Sequence, residues 1–135
     1  MRILAIDYGT KRIGLAVSDA DEKIATGIST IKRKDYSTDL GRIKSIINDL
    51  EVGKIIMGIT YNSDGSLSRT GLGAQSFSRL IKKETGLPVE FIDETYTSVN
   101  AENILIEANM SRKKRKKVID KLSAVIILQE YLNNR

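Results

Sequence analysis

Four carboxylates stand where the sequence could use them for chemistry. Asp7 ends an apolar run over residues 3–6, Asp93 and Glu94 follow a second run over 88–92, and Asp120 lies in the last helical stretch. Ligand groups in open α/β sheets gather at strand C-terminal ends, so Asp7 and the 93–94 pair converge if their strands are close and parallel. Clustered acids repel one another, which raises at least one pKa unless a cation lies among them, and oxygen donors suit a hard ion such as Mg²⁺. Two such ions about 3.5–4 Å apart can activate a water and stabilise the leaving oxygen of a phosphodiester. Plainer roles are open to each acid. Asp7 could bond the backbone of Gly9 or Thr10 in a turn. The 93–94 pair could be an exposed strand end whose two side chains diverge, and Asp120 an i−4 partner of Lys116 on a solvated helix face.

Composition narrows the field. The 135 residues contain no Cys and no His, which excludes a thiol nucleophile, a disulfide framework, a histidine base and a zinc site of the usual ligands. At 41% apolar the chain can bury one core, so a single domain over residues 1–135 is expected. The N-terminus meets Asp7 too early for a signal-peptide core, and no apolar stretch is long enough to span a bilayer, so a soluble cytoplasmic protein is expected. Lys and Arg number 22 against 17 acids, but six of them, Arg112, Lys113, Lys114, Arg115, Lys116 and Lys117, are consecutive; elsewhere 16 cations face 17 acids. Six cations at a helix start oppose the macrodipole and repel one another, a cost that contact with a nucleic-acid backbone would repay through counterion release. Only seven aromatics are present, five Tyr and two Phe, so base stacking is secondary to phosphate contact.

The elements that must position these groups follow from periodicity. Residues 3–6 and 13–17 read as antiparallel strands joined by a turn, and 26–31 as a third strand. Leu40, Ile43, Ile46, Ile47 and Leu50 share one helical face, with Ser37 or Thr38 as the N-cap and Gly53 as the stop. A buried-type strand over 54–58 leads into a polar loop over 60–70, the best candidate for a mobile segment. Ala74, Phe77, Leu80 and Ile81 mark a helix ending at Gly86, and 88–92 a strand. Ser98 caps a helix with Ile104, Leu105 and Ala108. In the last helix Val118, Leu122, Val125 and Leu132, with Ile119 and Ile126 beside them, form the apolar stripe. Asp120 is read off that stripe, on a face with Lys113, Lys116, Lys117, Ala124 and Ile127. Three strands, helix, strand, helix, strand and helices make an α/β domain with a mixed sheet.

Four motifs carry a family resemblance along nearly the whole chain. They are the segment from Ile6 to Asp19, Gly58-Ile59 with residues 62–66, the segment from Asp93 to Ser98, and residues 111–115 with Asp120-Lys121. Together they resemble the bacterial YqgF/RuvX family. The resemblance implies an RNase H-like, resolvase-type three-layer domain with a five-stranded mixed sheet, and a nuclease that processes the 5′ end of pre-16S rRNA. It implies Asp7, Glu94 and Asp120 as catalytic residues and ligands of Mg²⁺ or Mn²⁺, with Asp93 and Thr10 in support. Lys11, Arg12, the cations of 112–117 and Lys121 are the expected nucleic-acid contacts. Two positions depart from the family pattern: Thr95 replaces an Arg, a bidentate phosphate binder, and Thr60 replaces a Pro. Branched DNA is the alternative substrate, since phosphate contacts carry no base information. A non-catalytic RNA-binding assembly factor is a second alternative. An actin-like ATPase, suggested by Asp7-Tyr8-Gly9-Thr10, would need two such domains. Monomer and homodimer are both open.

Overall fold

The computed structural model describes residues 1–94 and 111–135, with the side chains of 112–121 outside the description. Its sheet contains β1 (Arg2–Tyr8), β2 (Arg12–Ser18), β3 (Ala25–Lys32), β4 (Val52–Ile59) and β5 (Val89–Asp93) in the order β3-β2-β1-β4-β5. The β1–β2 and β2–β3 pairs are antiparallel, and β1–β4 and β4–β5 are parallel. The mixed sheet expected from the element order is thus formed. Because β1, β4 and β5 run the same way, the residues that end them share one edge.

The two sheet faces are covered by different helices. Leu4, Ile6 and Tyr8 of β1 pack with Leu40, Ile43 and Ile47 of α1 (Tyr36–Leu50) and with Ala74, Phe77 and Ile81 of α2 (Arg69–Thr85). The alternate residues Ile3 and Ala5, with Ala16 and Ile56, pack with Ala124, Ile127 and Leu128 of α3 (Arg112–Asn133). Period-two alternation along β1 therefore assigns even positions to the α1/α2 layer and odd positions to the α3 layer.

Helix boundaries differ in part from expectation. The N-cap of α1 is Asp35, not Ser37 or Thr38: its Oδ1 accepts from the Thr38 amide at 2.7 Å and its Oδ2 from the Thr38 hydroxyl at 3.0 Å. At the other end Glu51 adopts the left-handed conformation, φ 53°, that usually falls to Gly, and Val52 enters β4 at once. Gly53 is therefore inside a strand. The stop at Gly86 of α2 is as expected. Loop 60–70 contains a Tyr61–Leu67 bridge, with Asn62 N donating to Ser66 O at 2.7 Å and Asp64 Oδ1 accepting from Ser66 N at 2.9 Å, and its last two residues open α2. The expected helix from Ser98 lies outside the described residues, as do Thr95 and Tyr96.

The bonds from Thr38 hold the Asp35 carboxyl below the ordinary Asp range. A lowered folded-state pKa contributes stability above the unfolded value near 3.9 and loses it as pH falls through the folded value. Asp35→Ala should lower the urea midpoint by about 0.5 M at neutral pH with an unchanged m value. The gap from wild type should narrow as the pH falls through the folded-state value; urea titrations at neutral and acid pH check it.

Candidate functional site

Asp7 is the last odd residue of β1 and so belongs to the α3 face. It is 7% exposed, and the turn that follows is closed by a Gly9 N to Arg12 O bond of 2.8 Å. That turn requires glycine, since a Cβ on Gly9 would lie 2.7 Å from Arg12 O. The row across the sheet at Asp7 is unusual. Its register partners are Gly14 on β2 and Gly58 on β4, so neither neighbouring strand contributes a side chain beside the carboxylate.

The vacated position over β4 is filled from β5. Gly58 pairs with Ile92, and the Glu94 amide donates to Ile59 O at 2.9 Å, which carries the strand pairing one residue past β5. A Cβ on Gly58 would lie 2.4 Å from Glu94 Cδ and 2.6 and 2.7 Å from its two carboxylate oxygens. The Glu94 carboxylate, 5% exposed as a residue, occupies the space a Gly58 side chain would take. Adjacent strands are about 4.8 Å apart, so this places it about one strand spacing from Asp7. Asp93 falls on the other parity and is exposed. Two buried acids on one face supply oxygen donors of the kind a hard divalent cation takes.

The third acid belongs to α3, whose packing differs from the expected stripe. Among the described residues of α3, Ser123, Ala124, Ile127 and Leu128 are buried, while Leu122, Val125 and Ile126 are only partly covered. Small Ser123 and Ala124 let the helix approach Ala5 and Ala16 closely, and that approach, rather than side-chain size, selects the buried face. Ala124 and Ile127, read in the sequence as sharing the face of Asp120, are thus the sheet-facing residues. Position 120 precedes Ala124 by one helical turn. The side chain of Asp120 is outside the described residues. So are those of Arg112, Lys113, Lys114, Arg115, Lys116, Lys117 and Lys121.

Contacts at the far end of α3 fix its direction. Gln129 Oε1 accepts from Ala25 N at 3.0 Å, and Arg135 pairs with Glu22 at 2.9 Å. The Tyr131 hydroxyl donates to Glu90 at 3.0 Å and accepts from Lys54, which also pairs with Glu90 at 2.8 Å. This triad holds Glu90 below and Lys54 above their ordinary pKa ranges, in each case chiefly through the hydrogen bond between them. The C-terminus of α3 is therefore anchored at the beginnings of β4 and β5. Its N-terminus, with the basic run and the positive end of the helix dipole, points toward the edge where Asp7 and Glu94 lie.

The remaining expected contacts sit on the same edge. Lys11 and Arg12 are exposed in the β1–β2 connection and at the start of β2. Thr10 is exposed, with its carbonyl accepting from Arg33 Nη1 at 2.9 Å. Thr60 has a role Pro could not fill: its hydroxyl contacts those of Ser68 and Thr70, the latter at 3.2 Å. Neither Gly58 as the floor under Glu94 nor Arg33 and Arg69 beside Thr10 carries a signal in residue spacing. A hollow of about 850 Å³ lined by Met1, Arg2, Lys44, Glu84 and Leu87 lies at the opposite end of the sheet.

Comparison with known proteins places this geometry in context. Residues 1–134 match the family model described as "RuvX: Holliday junction resolvase". A protein of Thermoanaerobacter pseudethanolicus named "Putative pre-16S rRNA nuclease" is 47% identical over 136 residues, covering 100% of this chain and 98% of that one. One of the same name from Clostridioides difficile is 48% identical over 132 residues, covering 98% and 94%. Among solved structures, T. thermophilus RuvC in complex with Holliday junction substrate superposes with a TM-score of 0.62 at 14% identity, covering 99% of this chain and 97% of that one. The fowlpox virus Holliday junction resolvase superposes with a TM-score of 0.61 at 14% identity, covering 98% of each. These likenesses establish the resolvase-type, RNase H-like α/β fold expected from the sequence.

Proposed function

Since the chain belongs to the RuvX family of Holliday junction resolvases, we propose that it is a metal-dependent nuclease that processes the 5′ end of pre-16S rRNA in the cytoplasm. Residues 1–135 serve as one RNase H-like nuclease domain. The observation that carries the chemistry is the buried pair of carboxylates, Asp7 and Glu94, on one face of the sheet above a glycine floor. The relatives' shared name carries the substrate. Asp7, Glu94 and Asp120 are the proposed ligands of Mg²⁺ or Mn²⁺. When bound, such ions supply Lewis-acid charge and a water acidic enough to attack.

The chain's own groups do the rest. Asp7 and Glu94 fix the donor oxygens, the first by its strand and the second by the Gly58 cavity. The last turn of β1 and the start of α3 lie at one edge, so a phosphodiester drawn in by Lys11, Arg12, residues 112–117 and Lys121 arrives beside the acids. Asp93, exposed, supports from the rim. Among the described residues no helix is long and apolar enough to cross a membrane.

A cleavage assay tests the proposal. Purified protein with Mg²⁺ or Mn²⁺ should shorten a pre-16S 5′ leader RNA and leave it intact in EDTA. Cleavage of four-way DNA junctions with RNA untouched would favour the resolvase reading, which the family's own description supports. No metal-dependent cleavage of either substrate would leave a binding module.

A further inference from the structure

A second polar site lies on the same sheet edge, on the α2 side. A cavity of about 400 Å³ is lined by Tyr8, Thr10, Arg33, Ser68, Arg69 and Thr70. Tyr8 directly follows Asp7 but faces the opposite layer, so this cavity and the acids are separated by the thickness of the sheet and open at one edge.

The lining is suited to an anion. Two arginines and no acid border it, and neither arginine belongs to an ion pair among the described residues. Arg33 is held in place by its Nη1 bonds to Gly9 O at 3.0 Å and Thr10 O at 2.9 Å, and by its guanidinium 4.4 Å from the Tyr8 ring centre. Ser68 caps α2 by accepting from Gly71 N at 3.0 Å. As the first two residues of that helix, Arg69 and Thr70 have amides with no intrahelical acceptor. Tyr8 is 3% exposed, and its hydroxyl is buried beside that of Tyr36.

The cavity has no place for a base. The Tyr8 ring stacks on Phe77 at 5.1 Å and is covered by Arg33 on a face of its own, so no aromatic surface is left to stack on. A phosphate fits the donors; a nucleoside does not fit the walls. We propose that this cavity holds a backbone phosphate of the nucleic-acid strand whose scissile phosphate lies at Asp7 and Glu94, fixing the strand as it crosses the sheet edge. The inference rests on the nuclease reading and adds to it the residues that set the strand's path, Arg33 and Arg69.

Arg69 is the residue to change, because it is exposed and makes no contact that the fold needs. Binding of a short fluorescein-labelled RNA is followed by anisotropy in EDTA over a range of KCl concentrations. Arg69→Glu should weaken binding about tenfold, and Arg69→Ala should reduce the salt slope by about 0.7, the value for one phosphate contact on a single strand. The thermal midpoint should not move. Wild-type affinity and slope in both variants would overturn the proposal. So would calorimetric binding of inorganic phosphate that Arg69→Glu abolishes while RNA affinity stays unchanged, since the cavity would then serve free phosphate. Binding in EDTA needs no turnover, so the two readings separate: an absent Arg69 effect with intact cleavage removes this site alone, and an Arg69 effect without cleavage removes only the nuclease.

Discussion

Asp7→Asn should reduce metal-dependent cleavage by about 10³-fold or more while leaving RNA binding in EDTA intact. The size follows from the role: a ligand that helps to hold the metal's charge against the reacting phosphate supplies several kcal/mol to the transition state, and each 1.36 kcal/mol is tenfold in rate. The amide keeps the shape of the carboxylate and its place in a row flanked by Gly14 and Gly58, so the fold has no steric reason to respond. Thermal unfolding supplies a second readout. A cation at about 100 times its dissociation constant stabilises the native state by about 2.7 kcal/mol, which wild type should show as a rise in melting temperature on adding Mg²⁺ or Mn²⁺. The variant should lose that rise. A variant that cleaves normally, or keeps the full metal-induced shift, would remove Asp7 from the site.

Much of this arrangement was legible in the residues, and the parts that were not share a physical cause. Strand runs and helix periods located each described element, because alternation and the three-to-four spacing are local properties. Asp7 could be read as a ligand or a turn former with equal ease. What spacing could not show is its row across the sheet, with Gly14 and Gly58 as partners, because register is a relation between strands. Likewise the 93–94 dipeptide says that the two acids diverge but not which of them turns inward; the Gly58 cavity and the bond to Ile59 O decide for Glu94. The face of α3 was misread for a different reason. Large side chains at 118, 122, 125 and 132 outweighed Ser123 and Ala124, yet close approach to Ala5 and Ala16 rewards small residues. At the start of α1, Asp35, Ser37 and Thr38 are all good N-caps by residue type, and only the bonds to Thr38 single out Asp35. The Arg33–Arg69 cavity joins residues from the end of β3 and the start of α2, and no sequence spacing announces such a pair.

Gly58→Ala is the sharpest test of how the site is held, because it adds one methyl group and removes nothing. That methyl would lie 2.4 Å from Glu94 Cδ, far inside van der Waals contact, with the carboxylate, a buried group, as the part that must move. Overpacking of this kind costs about 1–3 kcal/mol, and an acid displaced by about 1 Å loses about 10²-fold in rate. We therefore expect Gly58→Ala to remain folded by circular dichroism, to unfold at lower urea, to lose at least about 10²-fold in cleavage, and to bind RNA in EDTA as wild type does. Pairing it with Glu94→Asp separates a specific clash from general damage. Shortening the side chain draws the carboxylate away from the new methyl, so the two changes should be less destabilising together than their sum, a coupling of about 0.5–3 kcal/mol for groups in contact. Activity need not return, since the shortened acid no longer reaches its place beside Asp7. Additive losses in stability, or full activity in Gly58→Ala alone, would mean that the Glu94 carboxylate does not work from the space above Gly58, and the two-acid site would have to be assembled differently.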